Sequence, residues 1–150
     1  MLLETLKTLF NRDLNRLKAE IENYTREEKI WIIDKCIANS SGNLCLHIAG
    51  NLNTYIGKEL GGTNYTRNRD LEFSLKNVPR SELLSQITGT MAMVEQVLSQ
   101  LDEVELKKEY PILVLDRKTS TEYLLIHLAT HLAYHLGQVN YHRRLLDVEL

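Results

Sequence analysis

HLATHLAYHLGQ, residues 127–138, places histidines at 127, 131 and 135, every fourth position. On a helix this spacing stacks successive imidazoles on one face, with Cβ atoms roughly 5 to 6 Å apart. Leu124, Leu128, His131, His135, Gln138 and His142 keep the same three-and-four rhythm, which is that of the buried stripe of a helix. His131 and His135 are therefore expected to point inward, where leucine would be the ordinary residue. A buried imidazole without a partner costs roughly 1 to 3 kcal/mol, so two of them on adjacent turns either bind something or satisfy each other. The helix that carries them is predicted to begin at the capping-box spacing of Thr119 and Glu122 and to run to about Leu146.

Three more helices are read outward from this one. Leu3, Leu6, Phe10, Leu14, Leu17 and Ile21 form one stripe of a first helix over residues 2 to 22. Ser40 or Ser41 caps a second over about 41 to 60, striped by Leu44, Ile48, Leu52, Tyr55 and Ile56 and stopped by Gly61-Gly62. Pro79 suits the first position of a third, in which Leu83, Ile87, Met91, Val94, Leu98 and Leu101 lead to about residue 104. The links before and after it, about 18 and about 15 residues, exceed the few that a simple up-and-down bundle needs. At least one link is expected to cross the bundle. PILVLDR around Val114 is β-prone and reads as a short hairpin or as an extended strap over the core.

Composition narrows the function classes. With 150 residues, 43% of them hydrophobic, the chain can bury one core, so residues 1–150 are read as one all-α domain. Eighteen basic against twenty acidic residues leave a net charge of -2, which gives no pull toward nucleic acid or an anionic membrane. The N-terminus meets Glu4 and Lys7 too early for a signal peptide, no uncharged apolar run reaches membrane-spanning length, and Cys36 and Cys45 make no disulfide framework. A reduced cytoplasmic protein is the expectation.

One ion cannot take all three histidines of the series. His127 and His135 lie about 12 Å apart along the axis and about 80° around it, so the pair is 127 with 131 or 131 with 135. The inward stripe favours the second and leaves His127 at the edge, beside the site or on the surface. His47, between Leu44, Ile48 and Asn51, is the remaining histidine among stripe positions and the expected third ligand. Asn51, one turn on, is a candidate to hold a ligand's second nitrogen or a bound water. Two imidazoles at i and i+4 closing on one metal ion is the arrangement that the HExxH helix also uses.

SSGNLCLHIAGNL around His47, GGTNYTRNRDLEF after it and HLATHLAYHLGQVNYH near the end resemble the DinB superfamily, the DinB/YfiT-like metalloenzymes, over almost the whole chain. The resemblance implies a four-helix bundle of up-down-down-up topology, with residues 61 to 78 as the parallel crossover between helices two and three. It implies a metal site with one ligand on helix two and two on helix four before a Gly-Gln pair, which here are His47, His131 and His135 followed by Gly137-Gln138. It also implies pairing into homodimers through helix faces, and Leu125, Leu132, Leu136 and Leu146 give helix four the extra apolar surface for it. Relatives of this kind include metal-dependent transferases that use low-molecular-weight thiols and a thiol-dependent isomerase. One departure is Leu136, where many relatives carry arginine.

The functional expectation is a metal-dependent enzyme with a three-histidine site, a small-molecule substrate and a low-molecular-weight thiol as co-substrate. Its ion would be a divalent transition metal, zinc or nickel foremost among those that accept imidazole. The alternative is a non-catalytic, stress-associated bundle whose metal is structural. Arg67 and Arg69, in the charged run of the crossover, are candidates to fold over the site mouth and meet a substrate anion. Gln138 is a candidate to touch a ligand or the substrate. Cys45, about 200° from His47 around the helix, is expected to face away from the metal, and Cys36 to be buried filler near Trp31.

Overall fold

The computed structural model describes residues 1–148, which are all-helical, with no strand among them. Helix α1 (Leu2–Glu22) buries the stripe its sequence predicts, from Leu3 to Ile21, and Phe10 at its centre is wholly excluded from water. A full burial of such a side chain contributes roughly 1.5 to 3 kcal/mol. A short 3-10 turn (Glu27–Trp31) follows and leads to α2 (Ser41–Leu52). Ser40 is the residue that caps α2, its hydroxyl accepting from the Asn43 amide. Every residue of α2 is buried, as expected of a helix surrounded by others rather than striped.

Helix two does not continue as a regular α-helix to residue 60. It passes into a π-helical segment (Asn53–Lys58) before Gly62, with φ of 67°, turns the chain away. The crossover contains a helix that periodicity does not reveal, α3 (Arg69–Ser74), capped by the Asn68 side chain. Helix α4 (Arg80–Gln100) has Pro79 as its N-cap rather than its first residue, because ψ of 141° at Pro79 is still extended. The chain breaks at Leu101 and re-forms as α5 (Glu103–Lys107), with an Asp102–Glu105 capping box. Helix α6 (Thr121–Leu146) is capped by Ser120 and not by Thr119. PILVLDR forms no hairpin; it is a loop pinned at its base by the Tyr110–Thr119 and Thr121–Lys108 backbone hydrogen bonds.

Packing follows from these faces. Helices α1 and α2 each pack against both α4 and α6, so the four long helices close a ring of contacts around one core. Leu125 and Leu132 of α6, read as surplus apolar surface, are buried within the chain, while Leu136 and Leu146 stay half-buried. No helix among the described residues is long and apolar enough to cross a membrane. The arrangement brings the middle of α2 against α6 and lays α3 across α2.

Candidate metal centre

His47 stands on α2 and His131 and His135 stand one turn apart on α6, and the three meet. One ring nitrogen of each lies within 4.8 Å of the other two. His131 Nε2 is 3.3 Å from His47 Nε2 and 3.1 Å from His135 Nε2. Their rings stand nearly edge to face, His131 against His135 at 89° and His47 against His135 at 90°, so the nitrogens converge while the planes splay apart.

The other nitrogens of two rings fix what the converging ones carry. His47 Nδ1 donates to Glu72 Oε1 at 3.0 Å, and His135 Nδ1 donates to Gln138 Oε1 at 2.7 Å. Each imidazole with its proton on Nδ1 presents a lone pair at Nε2. Two lone pairs therefore face one nitrogen of His131, which has a single site for a proton or a lone pair and can satisfy at most one of them. A cation held among the three satisfies all. Neighbouring nitrogens on one ion with bonds of about 2.0 to 2.1 Å stand roughly 2.9 to 3.4 Å apart, and both spacings about His131 fall in that range. The donor set thus fits a divalent transition metal.

Burial, with His135 and His47 close by, lowers the His131 pKa to about 4. Burial also lowers His135, against the pull of its bond to Gln138. Both rings of α6 are thus held at neutral pH in the unprotonated form a metal requires.

Glu72 is the residue that sequence reasoning missed. It sits on α3, is buried, and receives the Arg67 guanidinium in a two-pronged pair, Nε to Oε2 at 2.8 Å and Nη2 to Oε1 at 2.9 Å, together with His47. Burial pushes this carboxyl up, but the His47 and Arg67 hydrogen bonds and the Arg67 charge together hold it below its usual range. A carboxylate behind a histidine fixes its tautomer and raises its basicity toward a metal. Asn43, fully buried on α2, ties α3 down by donating to the Glu72 and Leu75 carbonyls at 2.9 and 2.8 Å. Room for Glu72 comes from Gly50: a Cβ there would lie 2.6 Å from the Glu72 Cδ and closer still to Oε2.

The remaining candidates fall variously. Gln138 orients His135. Asn51 is buried but bonds to neither ring, and its Oδ1 has no partner among the described residues. Glu72 takes the position considered for it. Arg67 is engaged by Glu72 instead of reaching outward for a substrate anion, because a buried carboxylate outcompetes solvent for it. Arg69 stacks its guanidinium over Phe73, which in turn lies 4.9 Å from the His47 ring. His127 stays off the group, its ring stacked on His131 at 6.3 Å. Cys45 is buried, and burial pushes its thiol up to about 12. Cys36 is exposed rather than buried, since the segment it stands on runs outside the helices.

A family model spanning residues 2–149, described as protein of unknown function (DUF1572), matches the chain. The chain belongs to the DUF1572 family. Among curated proteins no sequence matches it. For this DUF1572 member the three-histidine group and the Glu72 and Gln138 bonds behind it are the chemistry on which a functional reading rests.

Proposed function

We propose that this DUF1572 protein is a metal-dependent enzyme of the DinB superfamily, and that His47, His131 and His135 hold a divalent transition metal, zinc or nickel, at its active site. The carrying observation is the convergence of three Nε2 atoms about His131, two of them bearing lone pairs of which the protein itself can match at most one. The closed ring of contacts among α1, α2, α4 and α6, with a long crossover before α4, supports the up-down-down-up bundle of that superfamily. The near-neutral charge supports a small-molecule substrate over nucleic acid or membrane, and a cytoplasmic setting agrees with the free cysteines.

An ion held by His47, His131 and His135 would lower the pKa of a bound water or thiol and so supply a nucleophile at neutral pH. The protein's own groups set up that chemistry. Glu72, anchored by Arg67, holds the His47 proton on Nδ1; Gln138 does the same for His135. No carboxylate joins the three nitrogens as a further ligand or free base among the described residues, since the nearest, Glu72, is fully occupied. That favours a reaction in which the nucleophile is activated by coordination alone, and a low-molecular-weight thiol is such a nucleophile. The enzyme is read as a thiol transferase.

The test joins metal analysis of the native protein to a thiol titration of the cobalt-substituted protein. Stoichiometric metal and a visible absorption shift on adding a common cellular thiol are expected, followed by turnover with a small electrophile. Absence of bound metal overturns the metal site. Bound cobalt with no shift for any thiol overturns the transferase reading and leaves a structural ion.

A further inference from the structure

The π segment that ends helix two decides where one aromatic ring goes. His47 and Tyr55 are eight residues apart, so on a regular α-helix Tyr55 would stand about 80° round from His47. The π segment Asn53–Lys58 intervenes. Its wider bonds, from the Glu59 amide to Thr54 and from the Gly61 amide to Ile56, span one residue more than those of the α-helix, so Tyr55 lags back toward the face that carries His47. Its half-buried ring lies under the Arg67 guanidinium, whose Cζ is 5.7 Å from the ring centroid, within the range in which a cation is drawn to an aromatic face.

The same turn leaves the Tyr55 carbonyl out of the helical ladder, because the Glu59 and Leu60 amides go to Thr54 and Ile56 instead. The hydroxyl of Tyr110, a buried residue beyond α5, donates to that carbonyl at 2.6 Å. Single π turns inside α-helices recur at functional sites, and this one sits in a line of contacts that runs from Tyr110 through Tyr55, Arg67 and Glu72 to His47. Arg67 itself sends both of its prongs to Glu72 and pairs with no second carboxylate among the described residues.

We propose that Tyr55 is a positioning residue of the three-histidine centre: its ring is the floor that keeps the Arg67 fork on Glu72, and through Glu72 it keeps the His47 proton on Nδ1 and His47 Nε2 aimed at His131. The hold on His47 stands on this geometry alone; its effect on a bound ion rests on the metal reading above.

Two readouts keep these apart. In metal-free protein the His47 Nδ1 proton should give a slowly exchanging imidazole N–H signal by 1H–15N NMR, and Tyr55→Leu should speed its exchange with water about fivefold. The same variant should weaken cobalt binding about fivefold, the size of a partly desolvated cation–π contact. Tyr55→Phe keeps the π face and should hold both readouts within about twofold of wild type, whereas packing alone would be served equally by leucine. Tyr55→Met, whose flexible chain fills the space without a π face, takes the place of Tyr55→Leu if that variant does not fold. In a Glu72→Ala background the change at Tyr55 should have no further effect on cobalt affinity, because the path to His47 is already cut. An unchanged exchange rate in Tyr55→Leu, equal losses in Tyr55→Phe, or the same affinity loss with Glu72 removed overturns the proposal. Faster exchange with cobalt affinity unchanged overturns the role of Tyr55 at the centre, whereas faster exchange in a protein that binds no cobalt counts against the metal reading only.

Discussion

Gly50→Ala isolates the dependence of the histidine group on Glu72. In the interior of an exposed helix this replacement stabilises by about 1 kcal/mol, because alanine loses less backbone freedom on folding than glycine. Gly89 of α4 provides that reference, since a Cβ there meets nothing within 4 Å. At Gly50 the new methyl would overlap the Glu72 carboxylate, which two arginine hydrogen bonds and the Asn43 clamp prevent from stepping aside. Relief requires the carboxylate to leave His47. A hydrogen bond to a charged group contributes about 1.5 to 3 kcal/mol, so after the helix gain of about 1 kcal/mol is subtracted the variant should be destabilised by about 0.5 to 2 kcal/mol in chelator, measured by urea unfolding. Cobalt affinity should fall roughly 10- to 100-fold, the usual cost of losing a partner behind a ligand. In a Glu72→Ala background the same Gly50→Ala change should become neutral or stabilising, as Gly89→Ala is. Wild-type stability and metal affinity in Gly50→Ala, or equal penalties in both backgrounds, would refute the reasoning.

Removing the shared nitrogen by His131→Ala should empty the metal site, while His127→Ala, whose ring only stacks on His131, should keep metal content within about twofold; elemental analysis of the two proteins decides between them. Tyr24, buried with its hydroxyl on Ser41, has its pKa raised from 10.0 to about 12, chiefly by burial. Between those values the unfolded chain releases a proton that the native state keeps, so stability present below pH 10 should decline as pH rises toward 12, by up to roughly 2 to 3 kcal/mol. Tyr24→Phe should flatten that part of a urea-midpoint profile. Light scattering at micromolar concentration is expected to give twice the 17.4 kDa chain mass, through α6 residues such as Ile126, Tyr134 and Tyr141 that stay exposed in one chain; a monomer mass would rule out stable pairing.

The helices that carry the core were legible because their burial is periodic: the Leu3-to-Ile21 stripe of α1 is the one the chain buries. His131 and His135 were legible for the same reason, as polar residues in leucine positions. Where burial is not periodic the reading stopped short. Helix α2 was placed by its Leu44-to-Leu52 stripe, but its burial all round does not show in that stripe, and its passage into a π segment after Leu52 leaves no mark in the spacing. Glu72 lies 25 residues from His47 in the chain, inside the charged run of the crossover, where no apolar period points to burial. Two local signals do point to it. Asn68 is a good cap for a short helix that begins at Arg69, and a glycine in the middle of a helix, one turn past His47, marks a place where another group comes close.

The clamp between α3 and α2 changes how the integrity of this site should be judged in related chains. The three histidines are what a motif search would score, yet the atoms that aim one of them come from the crossover, and the space they occupy depends on a residue with no side chain. A relative that keeps His47, His131 and His135 but has lost the Gly50 and Glu72 combination would retain the motif with one of its imidazoles free to rotate. Under the proposed metal function, presence of the three histidines is then a poor proxy for a working centre, and paired loss or retention of positions 50 and 72 is the sharper criterion for sorting members of the family.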